Sequence, residues 1–445
     1  MTFKTSKMLG TAALASLLIA LPALGQDAEV APVIDKGDTA WMLVSTLLVI
    51  MMTVPGVALF YGGLVRSKNI LSILSQVLAA FAMIALLWVI YGYSLAFGGS
   101  GEGALAAYIG DLSKFMLAGV TIDSTAATFS AGFELPELVF VTFQLTFAAI
   151  TATLIVGGIA ERMRFGAVLA FLAIWFTFAY LPIAHMVWAG SGLLFNMGAY
   201  DFAGGTVVHI NSGVAALVAA IVLGPRMGYL KEPLAPHNLV FTYIGACLLW
   251  VGWFGFNAGS NLEANGLTAQ AFLNTVIAPA AAALAWGVGE RVARGHASAL
   301  GMVSGAVAGL VAITPAAGFS GTGGAMVLGL VAGFVCLWAV VTLKPMLKYD
   351  DSLDVFGIHG VGGIVGAIGT AIVANPAFGG YPLEGYDMMG QLWIQIVGVV
   401  IAIAWSAVVA LIAMVIVKAV FKARVSASDE TDGLDLTSHG ERAYN

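Results

Sequence analysis

The sequence predicts an all-α integral membrane protein: eleven transmembrane helices after signal cleavage, a 5+5 inverted repeat plus one C-terminal helix. Three observations carry that prediction. Of 445 residues, 60% are hydrophobic and 9% charged, too few polar side chains to cover a water-soluble globule. Apolar runs of roughly 18 to 25 residues recur along the chain. The lysines and arginines gather in alternate connections between those runs.

The first 25 residues stand apart. Lys4 and Lys7 precede an apolar stretch from Met8 to Ala20 and then "LPALG", the pattern of a cleaved secretory signal over 1–25. A retained first helix is the alternative, disfavoured by the short apolar core and the acidic segment after it. The transmembrane domain spans 26–425. Its first five segments fall near 40–62, 70–97, 136–159, 166–188 and 204–224. The second five fall near 238–258, 267–289, 298–315, 323–343 and 355–374, and the last near 391–417. A polar tail, 426–445, closes the chain.

Arg66 and Lys68, Arg162 and Arg164, Arg226 and Lys231, Arg291 and Arg294, and Lys344 and Lys348 occupy every second loop, joined by Lys418, Lys422, Arg424 and Arg442 after the last segment. The opposite side carries only Lys36 and Lys114. Positive charge is retained in the cytoplasm, so the N-terminus lies outside and the C-terminus inside. An odd number of spans also makes the two sets of five run in opposite senses, the topology of an inverted repeat.

An ionisable group at membrane depth costs roughly 2.5 kcal/mol or more to insert, so each one is a functional candidate. Two histidines qualify, His209 in the fifth segment and His359 in the tenth, the last of each repeat. Gly205, Ser212, Gly213 and Ala216 share a face with His209; Gly362, Gly363 and Gly366 share one with His359. Small faces permit close helix approach, and a pseudo-two-fold axis brings the imidazoles together near the midplane. Two unrelated histidines, each bonded to a carbonyl, are the plainer alternative. Asp201 and Asp354 precede these histidines where helices begin, so capping accounts for both; Asp201 can also supply negative potential at an outer mouth.

Phe140, Phe143 and Phe147 recur at i, i+3 and i+7 in the third segment, as do Trp253, Phe256 and Ser260 in the sixth. Such a stripe is ordinarily packing, and Trp188 at the outer end of the fourth segment reads as an interfacial anchor. An aromatic face beside a hydroxyl is also what binds a small desolvated cation.

Other chemistry finds little support. Cys247 and Cys336 sit in apolar segments without metal or disulfide spacing, and no third ligand completes a metal site with the histidines. "GGSG" at 98–101 puts Ser100 in a serine-protease-like string, but at a helix end where a glycine turn is the commoner explanation. Zinc-protease, phosphate-loop and dinucleotide signatures are missing from the sequence, so no cofactor and no enzyme is expected. A net charge of −6 with scattered basic residues gives no nucleic-acid surface.

Five strings, "GLVRSKN" (63–69), "ERMRFGAVLAF" (161–171), "DFAGGTVVHINSG" (201–213), "WFGFNAGS" (253–260) and "DVFGIHGVGGIVG" (354–366), together resemble the bacterial ammonium transporter (Amt) family from about residue 36 to the C-terminus. The resemblance implies a homotrimer in the inner (plasma) membrane, each subunit with its own narrow, mostly hydrophobic pore through the lipid bilayer. Phe143, Trp188 and Ser260 then correspond to an outer ammonium recruitment site, supported by Asp201. Phe143 and Phe256 correspond to the stacked pair that closes the pore below it, with Phe147 and Trp253 nearby, and His209 and His359 to the pore's twin histidines. The tail "DGLDLTSHGERAYN" resembles a segment that packs on the cytoplasmic face and takes part in control by a PII protein such as GlnK; composition alone reads as a disordered acidic tail.

The expected function is uptake of ammonium, with methylammonium as its analogue: the cation is recruited, loses its proton and passes as ammonia along the histidines. A bare cation in an apolar constriction would meet a prohibitive desolvation cost. The rival from another class is an ammonium sensor signalling through the tail, and a hydrolase built on Ser100 is a distant third.

Overall fold

The computed structural model describes residues 33–444; the signal expected over 1–25 lies outside the described residues. Eleven helices among the described residues are long and apolar enough to cross a membrane. They are α1 (Lys36–Leu64), α2 (Ser67–Phe97), α3 (Glu137–Ile159), α4 (Phe165–Asn196), α5 (Gly205–Leu223), α6 (Leu239–Gly259), α7 (Gly266–Arg294), α8 (Ala299–Ala316), α9 (Thr322–Leu347), α10 (Phe356–Val373) and α11 (Met388–Phe421). Each matches one apolar run of the sequence. The ends differ by a few residues, most for α4, which runs to Asn196 where the apolar run ends near 188.

Several starts are fixed by side chains that accept the free amides of the first turn. Asp35 Oδ1 takes Gly37 N and Asp38 N at α1, Asn265 forms a capping box with Thr268 at α7, and Asp387 takes Gly390 N at α11. The helices are not uniform inside. Single π turns interrupt α1 at Met52–Val57, around Pro55, and α2 at Trp88–Gly92, α4 at Phe176–Tyr180 and α9 at Ala339–Leu343. Two more, Gly205–Ile210 and Phe356–Gly360, open α5 and α10 and carry His209 and His359. Such turns concentrate at functional sites, because the extra residue re-aims a side chain.

The third helix of each set of five, α3 and α8, is the most deeply buried. The histidine-bearing helices α5 and α10 pack on each other and on α11, which spans both. Ser406 Oγ of α11 donates to Asn211 O of α5 at 2.8 Å, and Gln395 Nε2 donates to Ala367 O of α10 at 2.8 Å. Large apolar side chains such as Leu47, Leu86, Val400 and Val415 stay exposed on the outer faces of α1, α2 and α11. A lipid-facing surface has that composition.

The longest connection, between α2 and α3, holds two of three strands unforeseen in the helix-only reading; the third precedes α1, and together they form a small sheet of order β1-β3-β2. They are β1 (Val33–Ile34), β2 (Thr125–Ala127) and β3 (Phe133–Pro136), with β1 parallel and β2 antiparallel to β3. Glu263, between α6 and α7, accepts both the amide and the hydroxyl of Ser130 at 2.7 Å and pins this excursion to the bundle. At the opposite end the tail folds into α12 (Ala427–Asp432) and α13 (Leu434–His439). Leu434 N donates to Asn69 Oδ1 and Ser72 N to Asp435 Oδ1, both at 2.8 Å. The acidic composition that reads as disorder is here a set of capping groups docked on α2.

Candidate substrate path

A file of aromatic rings leads from the α4–α5 corner to the two histidines. Trp188 ends the continuous part of α4, and its indole Nε1 donates to Asp201 O at 3.0 Å. The Asp201 carboxylate turns into the start of α5: Oδ1 accepts from Gly204 N and Gly205 N at 2.9 and 2.5 Å, Oδ2 from Thr206 N and Val207 N at 2.9 and 3.1 Å. Gly204 makes this possible, because its φ of +114° lets the chain double back over the carboxylate. Burial pushes the Asp201 carboxyl up to about 6, against the four amides that favour its charged form. Asp201 therefore lies ahead of the helix and fixes both the first turn of α5 and the Trp188 ring.

Trp188 meets Phe147 edge to face at 5.8 Å between centroids. Phe147 stacks on Phe256 at 4.1 Å with planes 16° apart. The expected pairing of Phe143 with Phe256 is thus corrected to Phe147 with Phe256. The reason lies in how α6 packs on α1: a Cβ at Gly259 would run into the Ser45 side chain and, less closely, the Phe143 ring, so Phe143 sits level with Gly259 and Phe147 with Phe256 one turn deeper. Phe143 instead tilts against Phe147 at 4.9 Å. Ser260, at the end of α6, donates its hydroxyl to Phe256 O at 2.8 Å and, like Trp188, is half-buried.

Below the stack, His209 Nδ1 and His359 Nδ1 face each other at 3.2 Å, with ring centroids 5.3 Å apart. The ring that carries the shared proton donates and the other accepts. Both are buried, and His209 Nε2 has no hydrogen-bond partner. The approach of α5 to α10 depends on the small faces: a Cβ at Gly213 would run into the backbone of Gly360, and one at Gly363 into Gly205 O and the His209 side chain. This packing sets the two imidazoles face to face across the α5–α10 contact.

Trp253 stacks on His209 at 5.4 Å and lies 5.6 Å from Phe256. Its indole Nε1 donates to Thr314 Oγ1 at 2.9 Å. Trp253, Phe256, His209, His359, Tyr61 and Ile150 are among the residues that enclose a cavity of about 10 Å³, room for roughly one water-sized molecule. Among the described residues no cluster of three or more His, Cys, Asp or Glu could hold a metal ion, and both cysteines are free.

Ser100 lies in the glycine turn beside a wider cavity of about 540 Å³ that reaches Trp188. His185 lines the same cavity, but its ring nitrogens lie 2.8 and 2.7 Å from Ala96 O and Ala106 O, with Ser191 Oγ at 3.3 Å. No base is placed on Ser100.

Sequence reasoning missed the group at the tail end. Asp354 does not cap α10; it takes φ +62° and accepts Lys344 Nζ at 2.6 Å. Asp351 caps instead, its Oδ2 accepting Phe356 N at 2.7 Å. Beside it Glu161 accepts from Arg66 and Arg226, and Arg226 grips Asp350 through Nε at 2.9 Å and Nη2 at 2.8 Å. These charges lie in separate loops, so their spacing in sequence gives no signal.

Eleven helices long and apolar enough to cross a membrane, around a buried file of aromatic rings and histidines, define a multi-pass membrane protein. The sequence model of the Ammonium Transporter Family matches residues 40–444, and the chain belongs to that family, one of transporters and not of enzymes. It is 47% identical over 416 residues to an ammonium transporter of Aquifex aeolicus, covering 93% of this chain and 94% of that one. To an ammonium transporter of Bacillus subtilis it is 44% identical over 412 residues, covering 92% and 99%. Among solved structures, Mep2 of Saccharomyces cerevisiae aligns with TM-score 0.80 at 35% identity, over 89% of this chain and 88% of that one. A protein described as a sensor Amt protein aligns with TM-score 0.82 at 30% identity, over 90% and 98%.

Proposed function

We propose that the protein carries ammonium across the membrane by stripping the cation of its proton and conducting ammonia. The observation that carries this reading is the order of groups along the path: Trp188, the Phe147–Phe256 stack, then the paired histidines around a cavity sized for one small molecule. Phe143, Trp188 and Ser260 hold the cation by π-face attraction and a hydroxyl acceptor, and Asp201 holds Trp188 in place. The rings of Phe147 and Phe256, with Phe143 and Trp253 against them, close the path to anything hydrated. A bare cation there would lose its hydration without replacement, whereas ammonia is neutral. His209 and His359 then offer one donor and one acceptor in series.

Selectivity over potassium follows from the chemistry, since potassium has no proton to shed. Replacing His209 and His359 with alanine and comparing ammonium with potassium currents in liposomes tests this; unchanged selectivity would overturn it. The path belongs to a single chain, and the reading extends to a homotrimer of independent pores in the inner membrane with the tail in the cytoplasm. There α12 and α13 present a surface for a PII protein such as GlnK.

The fold likeness to a protein described as a sensor favours a second reading, in which the same site signals through the tail. Deletion separates the two: loss of ammonium uptake supports transport, and lost regulation with intact uptake supports sensing.

A further inference from the structure

Asp351 stands eight residues before His359, as Asp201 stands eight before His209. Each caps the pore helix that carries its histidine. The two carboxylates then differ. Asp201 spends both oxygens on four amides, whereas Asp351 is 0% exposed and its Oδ1 has no hydrogen-bond partner. A buried carboxylate oxygen left unpaired is costly as an anion and is relieved by a proton.

Its neighbours line two cavities. On one side is Tyr61, which lines the histidine cavity and lies within electrostatic reach of Asp351. On the other is an open cleft of about 430 Å³ lined by its neighbours Tyr349, Asp350 and Phe356. The charged and titratable groups that face Asp351 are Lys344, Asp354, Arg162, Tyr61 and Tyr349. Lys344 is already paired with Asp354.

We propose that Asp351 is the proton-exchanging group at the tail end of the path, a role that rests on the ammonium reading above. Ammonia leaving the histidines takes the carboxyl proton: an N–H bond forms as the O–H bond breaks, leaving ammonium beside a carboxylate. The carboxylate regains a proton from hydronium in the cleft, releasing water. In reverse, the carboxylate strips ammonium entering from that side. Burial, opposed by Lys344, pushes the Asp351 carboxyl up to about 6, within range of both steps.

The test is ammonium-driven current from the full-length protein in liposomes, with the pH varied on the tail side. Asp351→Asn keeps the cap and loses the exchangeable proton. Its flux is expected to fall about tenfold or more and to lose its dependence on that pH, while Asp351→Glu retains both. Asp351→Asn with wild-type flux and pH profile overturns the proposal; wild-type protein carrying no ammonium overturns the function itself. Should the asparagine variant not fold, infrared difference spectra of wild type with and without ammonium decide. Loss of a protonated-carboxyl band, shifted in Asp351→Glu, supports the proposal, and absence of any such band overturns it.

Discussion

The rings of Phe147 and Phe256 lie flat on each other, centroids 4.1 Å apart, and the stack fills the line between Trp188 and His209. On the proposed function this stack is what closes the path. Phe256→Ala is expected to open a leak to potassium and to lower stability by about 3–5 kcal/mol from the cavity it leaves. Potassium flux into liposomes and thermal unfolding measure the two. A tight, fully selective variant would show that the stack does not close the path.

Among the described residues Thr314 is the sole hydrogen-bond partner of the Trp253 indole, and Trp253 stacks on His209. Thr314→Val preserves shape but leaves Nε1 buried without an acceptor, a loss of about 1–3 kcal/mol. The released ring is expected to tilt off His209 and change the ratio of ammonium to methylammonium flux, with Thr314→Ser restoring it. A variant with lowered stability and an unchanged ratio would make Thr314 a packing residue only.

Much of this was legible because membranes leave the chain few choices. Apolar length gives the spans and a buried imidazole declares itself, so His209, His359 and their glycine faces could be placed from sequence. Ring pairing could not. Phe143 and Phe147 occupy one face of α3, and only the height of α6, which is seated on α1, decides which of them meets Phe256. The same holds for Asp351 and Asp354, where a positive φ at Asp354 turns the nearer carboxylate toward Lys344. Glu161, Arg226 and Asp350 come together from three loops, which no local pattern encodes.

Asp201 accepts four amides, so removing it should matter locally before it matters globally. Asp201→Ala strips the first turn of α5 of its cap, at a cost of about 2 kcal/mol. It also frees the corner that holds Trp188. Expected are a lower melting temperature and weaker ammonium affinity, seen as a raised half-saturation concentration. Asp201→Asn, which keeps an acceptor, should fall between. Equal affinity in all three proteins would detach Asp201 from the outer site.

The ion cluster at the tail end should set the acid limit of stability. Burial alone would raise Glu161 and Asp350, but Arg226, with Arg66 on the former, holds both carboxyls below their ordinary range. A depressed folded pKa contributes stability that is present above the unfolded value, about 3.9 for Asp and 4.3 for Glu. That contribution is lost as pH falls through the folded value. Arg226→Ala leaves two buried carboxylates short of a partner, at a cost of about 3–5 kcal/mol near neutral pH. On acidification those carboxylates protonate and the penalty shrinks. The melting temperatures of wild type and Arg226→Ala should therefore lie far apart near neutrality and converge below about pH 4. A gap that stays constant across that range would mean that the pairing with Arg226 contributes no charge-dependent stability, and that the guanidinium acts through packing and hydrogen bonds alone.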